Sequence, residues 1–186
     1  MTVHTIFQQP INYQDSLPLK SIILGAGCFW GVERKFWSLP GMVMTSVGYA
    51  GGDSDNPTYE SVCSGMTGHT EVVKIQFDPS VISLKEILKV FWECHDPTQG
   101  NRQGNDVGTQ YRSACFCESE SDLIIVEQTF HQYQENLLAA GHGNITTEIK
   151  ILDEYFLAEE YHQQYLEKNP NGYCGIGGTG CSFQNS

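Results

Sequence analysis

The chain has 186 residues, with ten basic and 22 acidic side chains, and therefore carries a formal net charge of −12 at pH 7. Nucleic acids and anionic lipid surfaces are bound chiefly by Lys and Arg, so this acidic balance argues against both as partners. The length fits one domain over residues 1–186 that buries its apolar surface without help from disulfides, and we expect a monomer.

The cysteine count and the apolar runs bear on where the protein is found. Seven cysteines is an odd number, and the N-terminal stretch lacks the basic and apolar regions of a signal peptide. No apolar run is long enough to span a bilayer. These features predict a cytoplasmic protein whose thiols are reduced at rest.

Residues 1–18 are polar, contain Pro10 and Pro18 and lack a sustained period, which predicts an irregular N-terminal arm. After this arm the hydrophobic periodicity alternates between strand and helix. The predicted order is strand 20–25, helix 28–38, strand 42–49, strand 69–77, helix 84–95 and strand 109–117. This β-α-β-β-α-β order predicts an α/β fold, a two-layer sandwich with a ferredoxin-like core.

Further elements follow this unit. They are a helix over 120–140 that begins after Ser119, a strand over 145–152 and a C-terminal helix over 158–168. Residues 169–186 contain too many glycines for regular structure, which predicts a mobile tail that carries two cysteines. Two long loops, 50–58 and 96–108, are also of interest, because loops of this length in compact domains are often functional.

A thiol stands at the junction between the first predicted strand and the first predicted helix. Cys28 is preceded by Gly27 and followed by Phe29 and Trp30. The free N–H groups and the positive end of the helix dipole favour a thiolate at such a position. The pattern therefore predicts a nucleophilic cysteine, and a buried structural cysteine beside core aromatic rings is the alternative for a single thiol.

Four short motifs are spread over most of the chain. They are Gly27-Cys28-Phe29-Trp30-Gly31, Gly68-His69-Thr70-Glu71, Gly108-Thr109-Gln110-Tyr111-Arg112-Ser113 and the glycine-rich segment from Gly172 to Cys181. In this order they resemble the motifs of the A-type peptide methionine sulfoxide reductases, from about Ser21 to Cys181.

The resemblance implies reduction of methionine S-sulfoxide, free or in proteins, with thioredoxin as the reductant and with no bound cofactor or metal. Cys28 would attack the sulfoxide sulfur, and Glu71 would hold the proton for the sulfoxide oxygen. The other implied site residues are Tyr59 and Tyr111 as donors to that oxygen, and Asp106 beside the pocket. Phe29 and Trp30, next to the nucleophile, would line a pocket for the S-methyl group.

Glu71 begins an alternating strand in which Val73, Ile75 and Phe77 share its parity, so its side chain is expected on the core face. An ordinary carboxyl is ionised at pH 7, so the acid role requires that burial raises the pKa of Glu71. The alternative is a solvated carboxylate at a strand end.

The resemblance also assigns a resolving cysteine. Cys174 would attack the sulfenic acid of Cys28, and thioredoxin would reduce the resulting Cys28–Cys174 disulfide. Relatives with a third cysteine have Val and one or two further residues before it, whereas Cys181 directly follows Gly180. A relay through Cys181 and a cycle completed by Cys174 alone both stay open.

The remaining thiols and histidines have structural interpretations. We expect Cys63, Cys94, Cys115 and Cys117 to be buried thiols, and His162 to be a packing residue of the last helix. His69, which lies in a matched motif, is a candidate to shape the pocket.

Two other functional classes are compatible with a reactive thiol. A thiol peroxidase also passes through a sulfenic acid and a resolving cysteine, and a redox-sensing or metal-binding module would be oxidised or metallated without releasing methionine. The chain contains no paired Cys-x-x-Cys and no His-Glu-x-x-His pattern, which argues against a zinc site and a thioredoxin-like enzyme.

Overall fold

A computed structural model describes residues 2–13, 18–152 and 154–184. Its strands are β1 (Lys20–Ala26), β2 (Met42–Ala50), β3 (Thr70–Phe77), β4 (Arg102–Gln103), β5 (Asp106–Val107), β6 (Ser113–Cys117), β7 (Glu148–Ile151) and β8 (Phe156–Leu157). Its α-helices are α1 (Phe29–Trp37), α2 (Tyr59–Cys63), α3 (Leu84–Cys94), α4 (Glu120–Ala139) and α5 (Tyr165–Lys168), and its 3-10 turns are Thr109–Tyr111 and Glu160–His162. None of the helices within these described ranges is both long and apolar enough to cross a lipid bilayer.

Six strands form one mixed sheet in the order β7-β6-β1-β3-β2-β8. Neighbouring strands are antiparallel except β6 and β7, which are parallel. Ile22 and Leu24 pack with α1, α3 and α4 in the main core, whereas Ile23 belongs to a smaller cluster with Ala114 and Phe116. The central strand β1 is therefore apolar on both faces, and the predicted mixed α/β fold is confirmed.

Local hydrogen bonds explain why the two long helices begin where the sequence predicts. Ser83 accepts a hydrogen bond from the N–H of Glu86 at 3.3 Å, and the Glu86 carboxylate accepts one from the N–H of Ser83 at 2.8 Å. Ser119 accepts from the N–H of Asp122 at 3.2 Å at the start of α4. The predicted helices over 84–95 and 120–140 are therefore confirmed to within a residue or two at each end.

Two predicted strands are shorter than expected. The strand predicted over 109–117 begins only with β6, because the φ of Gly108 is +146° and the chain then makes a 3-10 turn. The strand predicted over 145–152 is limited to β7. The periodicity missed two short elements. The helix α2 follows loop 50–58, and the hairpin of β4 and β5 lies inside loop 96–108.

The prediction of one C-terminal helix over 158–168 is wrong. Glu160–His162 is a 3-10 turn, and α5 is one short helix that starts only at Tyr165. Between them Gln164 adopts a left-handed conformation with φ of +47°, which a continuous helix does not allow. Gln164 is held in this conformation by partners from distant parts of the chain.

The predicted arm and tail lie at the two ends of the chain. Within the described residues 2–13 the arm contains one isolated bridge, between Val3 and Pro10, and part of the predicted arm lies outside the described residues. Described tail residues pack on the helices: the side chain of Phe183 is 4% exposed, and the Cys181 carbonyl accepts a hydrogen bond from the Tyr133 hydroxyl at 3.0 Å. Residues 185–186 of the predicted tail lie outside the described residues.

Candidate active site

Cys28 occupies the N-cap position of α1, immediately after β1. Gly27 before it has φ of +92°, and a Cβ there would lie 2.8 Å from the Gln103 side chain, so the junction requires glycine. Burial raises the pKa of the Cys28 thiol and the charge of Glu71 adds to the rise, whereas the N–H groups at the start of α1 lower it. The net shift is upward, so the effect of burial on the thiol outweighs that of the helix N-terminus.

Glu71 lies directly beside this junction. Its Oε2 accepts a hydrogen bond from the backbone N–H of Phe29, the residue after Cys28, at 3.0 Å. The Glu71 side chain is 2% exposed and faces the main core with Val73 and Ile75, as its strand parity predicts. Burial raises the pKa of Glu71 to about 8, so the protonated carboxyl is the favoured form at pH 7.

Tyr59 and Tyr111 bring two phenols to the same region. Tyr59 is the first residue of α2, and Tyr111 ends the 3-10 turn before β6. Burial is the largest cause of a raised pKa in both, and the charge of Glu71 contributes to each. Both phenols are therefore protonated hydrogen-bond donors at neutral pH, near the buried carboxyl.

Cys63, at the end of α2, lies close to the Tyr59 hydroxyl and contributes to its raised pKa. We expected a buried thiol at this position, but Cys63 is exposed, so that prediction is wrong. The error arose because α2 was not predicted. A five-residue helix carries too little periodicity to reveal which of its faces is covered.

Aromatic rings surround the first turn of α1. The indole N–H of Trp30 donates to Nδ1 of His162 at 3.0 Å, and the Trp30 ring stacks on Tyr165 with centroids 3.8 Å apart. The His162 ring also lies 5.1 Å from the ring of Phe29 and 4.6 Å from that of Tyr59. His162 does pack, but against the rings at this site and not within a helix.

The sequence offered no signal for His162 or Tyr165 as part of the site. His162 and Trp30 are 132 positions apart, and the C-terminal segment carries no motif that predicts a return to α1. Only the tertiary structure brings these rings beside Cys28.

Asp106 and Cys174 meet at the same end of α1. Oδ2 of Asp106 accepts a hydrogen bond from the hydroxyl of Tyr173 at 3.1 Å. A Cβ on Gly31 would lie 3.0 Å from Sγ of Cys174, so this thiol contacts the first turn of α1. Gly31 itself is three positions after Cys28. Cys181 lies elsewhere, against α4.

The other predicted residues have structural contacts. Nδ1 of His69 accepts from the N–H of Gly52 at 3.1 Å and its Nε2 contacts the Ser54 carbonyl at 2.8 Å, so His69 anchors loop 50–58. The expected burial is confirmed for Cys94, Cys115 and Cys117. Over the part of the chain that the structure describes, no three His, Cys, Asp or Glu side chains are grouped so that they could hold a metal ion.

A cysteine beside a protonated buried carboxyl, two phenol donors and a second cysteine at the same helix end define a thiol-based oxidoreductase. The family model of peptide methionine sulfoxide reductase matches residues 20–181. The chain belongs to the peptide methionine sulfoxide reductase family.

Curated relatives share most of the sequence. Peptide methionine sulfoxide reductase MsrA of Vibrio parahaemolyticus is 62% identical over 164 residues, which cover 88% of this chain and 77% of the relative. MsrA of Rhodospirillum centenum is 53% identical over 180 residues, or 97% of this chain and 82% of the relative.

Solved structures share the fold. Methionine sulfoxide reductase A of Corynebacterium diphtheriae has a TM-score of 0.84 and 45% identity, covering 93% of this chain and 84% of that chain. Reduced Mxr1 of Saccharomyces cerevisiae has a TM-score of 0.81 and 39% identity, covering 88% and 92%. Mxr1 in complex with Trx2 has a TM-score of 0.58 and 28% identity, covering 82% and 88%.

Proposed function

We propose that this chain reduces methionine S-sulfoxide, free or in proteins, to methionine with thioredoxin as the reductant, and so repairs oxidised proteins. One observation carries the proposal: Glu71, a buried carboxyl with a pKa of about 8, accepts a hydrogen bond from the backbone N–H next to Cys28. Family membership supports the substrate, and the Mxr1–Trx2 complex of a similar protein supports the reductant. The preference for the S epimer rests on the resemblance to the A-type enzymes.

In the first step the sulfur of Cys28 attacks the sulfoxide sulfur, and the proton of Glu71 moves to the sulfoxide oxygen. The thiol passes its own proton to Glu71, which ends the step protonated. In the sulfur–sulfur linked intermediate the hydroxyl then moves from the substrate sulfur to the sulfur of Cys28. The substrate sulfur–oxygen bond and the sulfur–sulfur bond break as the new sulfur–oxygen bond forms, and methionine and a Cys28 sulfenic acid are released. This proton transfer is consistent with the raised pKa values of Cys28 and Glu71, because neither the thiolate nor the carboxylate has to persist in the buried site.

The surrounding side chains assist this step. Tyr59 and Tyr111 donate to the sulfoxide oxygen, and they polarise the sulfur–oxygen bond without adding charge. Phe29 and Trp30 form an apolar wall for the S-methyl group. Asp106, near both Cys28 and Glu71, lies beside the pocket.

In the second step Cys174 attacks the sulfur of the Cys28 sulfenic acid. A sulfur–sulfur bond forms, and the hydroxyl leaves as water with the proton of Cys174. The close approach of Cys174 to Gly31 supports this assignment. A thioredoxin dithiol then reduces the disulfide, and we propose that Cys181 takes no part, because its backbone is held on α4 by Tyr133.

The remaining features of the proposal concern organisation. We propose one catalytic domain over residues 1–186 with a ferredoxin-like, two-layer core, in which the strand order β6-β1-β3-β2 supports that core. The stretch of the glycine-rich tail around Cys174, residues 172–177, moves so that Cys174 alternates between its partners. The protein acts as a monomer in the cytoplasm.

Parallel turnover assays test the activity. Purified protein is supplied with thioredoxin, thioredoxin reductase and NADPH, and receives S-sulfoxide, R-sulfoxide or hydrogen peroxide in separate reactions. We expect turnover of the S epimer, and a loss of at least about a thousandfold in Cys28→Ser, because a hydroxyl is a far weaker nucleophile toward sulfur. Faster turnover of peroxide than of sulfoxide would reject the proposal.

The disulfide provides a second test. Peptide mass spectrometry of protein trapped after one turnover without reductant should identify a Cys28–Cys174 pair. A different pair would reassign the resolving cysteine, even if the activity is as proposed.

A further inference from the structure

A buried carboxylate that the proposed chemistry does not use joins separate parts of the chain. Glu33 lies on α1, three residues after Trp30, and is 0% exposed. Its Oε1 accepts hydrogen bonds from the Thr45 hydroxyl at 3.0 Å and from the side-chain amide of Gln164 at 2.8 Å. Its Oε2 accepts the backbone N–H of Gln164 at 2.8 Å.

The neighbouring histidine fixes the direction of these hydrogen bonds. Nδ1 of His4 accepts the N–H groups of Ile6 and Phe7 at 3.1 and 3.2 Å, so the proton of the neutral ring is on Nε2. Burial lowers the pKa of His4 to about 4, which keeps the ring neutral at pH 7. Nε2 therefore donates to the Thr45 hydroxyl at 2.9 Å, and that hydroxyl donates to Glu33. Burial raises the pKa of Glu33 to about 7, and the bonds from Gln164 and Thr45 oppose that rise. Three donors thus converge on the Glu33 carboxyl group.

Gln164 needs such support because its backbone is in an unfavourable conformation. Its φ of +47° lies in the left-handed region, which residues with a Cβ rarely adopt. Both of its bonds to Glu33 oppose a return to ordinary geometry. This conformation lies between Glu160–His162 and α5, so it determines how the side chains of His162 and Tyr165 are presented.

His162 and Tyr165 are the two residues of this segment that contact Trp30. Trp30 and Glu33 lie three residues apart on α1 and therefore share one side of the helix. The same stretch of α1 thus binds segment 160–165 twice: Trp30 contacts the rings, and Glu33 holds the backbone between them.

We propose that Glu33 is a positioning residue that holds segment 160–165 against α1. It thereby keeps His162 and Tyr165 packed on Trp30 and keeps Trp30, part of the apolar wall of the substrate pocket, in place. This inference rests on the proposed reductase function, because that function gives the wall its role. Glu33 acts through Gln164, and it reaches the wall without contacting the reacting atoms. We therefore expect its loss to weaken substrate binding more than it slows the chemical step.

A matched pair of variants tests this role. Glu33→Leu and Glu33→Gln both remove the titratable carboxyl, but only Gln retains an oxygen that can accept the Gln164 N–H. In single turnovers, we expect Glu33→Leu to raise the sulfoxide concentration for half-maximal methionine release by about tenfold and to change the limiting rate by less than about threefold. We expect Glu33→Gln to raise that concentration by less than about threefold. Equal effects of the two variants would contradict a role through hydrogen bonds.

The indole resonance of Trp30 reports on the wall without reference to activity. Its N–H proton, hydrogen-bonded to His162, should move toward the position of a free indole in Glu33→Leu and move less in Glu33→Gln. An unchanged resonance in Glu33→Leu overturns the positioning role. If the parent protein has no reductase activity but the resonance follows this order, the proposed function fails while Glu33 still positions the wall.

Two further variants guard against a general loss of stability. Leu137 is buried on α4, outside the site, and Leu137→Ala leaves a cavity beside that helix. This variant should change neither the sulfoxide concentration for half-maximal methionine release nor the indole resonance of Trp30. Changes in both would attribute the Glu33 effects to lost stability and overturn the proposal. If Glu33→Leu does not fold, Gln164→Gly replaces it, because glycine accepts φ of +47° while the side-chain bond to Glu33 is lost. We then expect the half-maximal concentration to rise about threefold, and no change in either measurement overturns the proposal.

Discussion

The β1–α1 junction and the C-terminal segment 159–184 build the same site by different means. Cys28 follows a strand that is hydrogen-bonded on both sides, to β3 and β6, and Glu71 lies within β3 itself. The C-terminal segment has one 3-10 turn and one short helix, and it is attached largely through side chains. The side-chain amide of Gln163 donates to the Val47 carbonyl at 2.8 Å and accepts from the Val47 N–H at 2.9 Å. The Tyr173 hydroxyl donates to the Asp106 carboxylate.

The difference teaches that attack and regeneration have separate structural supports. Sheet and helix backbone bonds open rarely, whereas the stretch 172–177 around Cys174, in which no residue is fully buried, can detach at low cost. The groups that must be held accurately lie on the sheet and helix, and Cys174, the thiol that we propose as the resolving cysteine, lies on the stretch that has to move. Substitutions at the junction should therefore affect methionine release, and those in the stretch around Cys174 should affect regeneration.

The largest expected effect that separates the two regions is that of Cys174→Ser. The variant should release about one methionine per enzyme in a single turnover and then stall, with steady-state turnover reduced by roughly a thousandfold, because the nucleophile survives while its sulfenic acid is not cleared. Rapid-quench measurement of methionine checks the burst, and a thioredoxin-coupled assay checks the stall. Steady-state turnover at the parental rate would show that another thiol resolves Cys28.

Glu71→Gln should act on the other half of the cycle. We expect methionine release to slow by about a hundredfold, since the amide cannot supply the proton, while Cys28 stays a free thiol. Single-turnover rates measure the first effect, and mass spectrometry after unfolding and alkylation with iodoacetamide measures the second. If release is not slowed, the proton comes from another group.

The pH dependence of methionine release should follow Glu71 as well. An acid works in its protonated form, so with a pKa raised to about 8 the rate should be level below that pH and fall about tenfold per pH unit above it. The remaining rate of Glu71→Gln should lack this decline. A parental rate that increases through pH 8 would instead indicate that a thiolate limits the reaction.

Gly31→Ala should have a smaller effect, confined to regeneration. The new Cβ would lie 3.0 Å from Sγ of Cys174 and 3.3 Å from Cβ of Ile176, so the tail must shift. We expect disulfide formation to slow by about fivefold and methionine release to change by less than about twofold. Alanine is the better helix former by about 1 kcal/mol, so unfolding would not explain the loss. Equal slowing of both steps would show that the junction and the tail are not independent.

Cys181→Ser should have the smallest effect, a change of less than about twofold in thioredoxin-dependent turnover. The reason is that Cys181 lies on α4, where Tyr133 holds its carbonyl. The coupled assay with thioredoxin measures this directly. A large loss of turnover with an intact Cys28–Cys174 disulfide would establish a relay through Cys181.

Sequence patterns predicted the parts of the site that depend on short-range order. The glycines and the change of period around Cys28 predicted the strand-to-helix junction, and strand parity predicted the buried face of Glu71. The same patterns failed over 158–168, because a left-handed Gln164 is stabilised by a carboxylate 131 positions away. Cys63 was misassigned because a short helix has almost no period to detect.

The motifs carry the proposed roles of the side chains at the β1–α1 junction, but they do not carry the pKa of the Cys28 thiol. A helix N-terminus favours the thiolate, whereas burial and the charge of Glu71 raise the pKa of the thiol. Burial depends on what packs over a residue, and His162 and Tyr165 reach this region only by folding back from the far end of the chain.

By itself, the sequence determined the alternation of strands and helices, the starts of α3 and α4 at their serine caps, and the place of Cys28 at a helix end. These features depend on residues within one or two turns of each other, and local propensity is enough to specify them. Only the tertiary structure decided the raised pKa values of Cys28 and Glu71, the left-handed turn at Gln164 and the contact of Cys174 with Gly31. Each of these depends on desolvation or on partners that are distant along the chain, and neither can be read from local order.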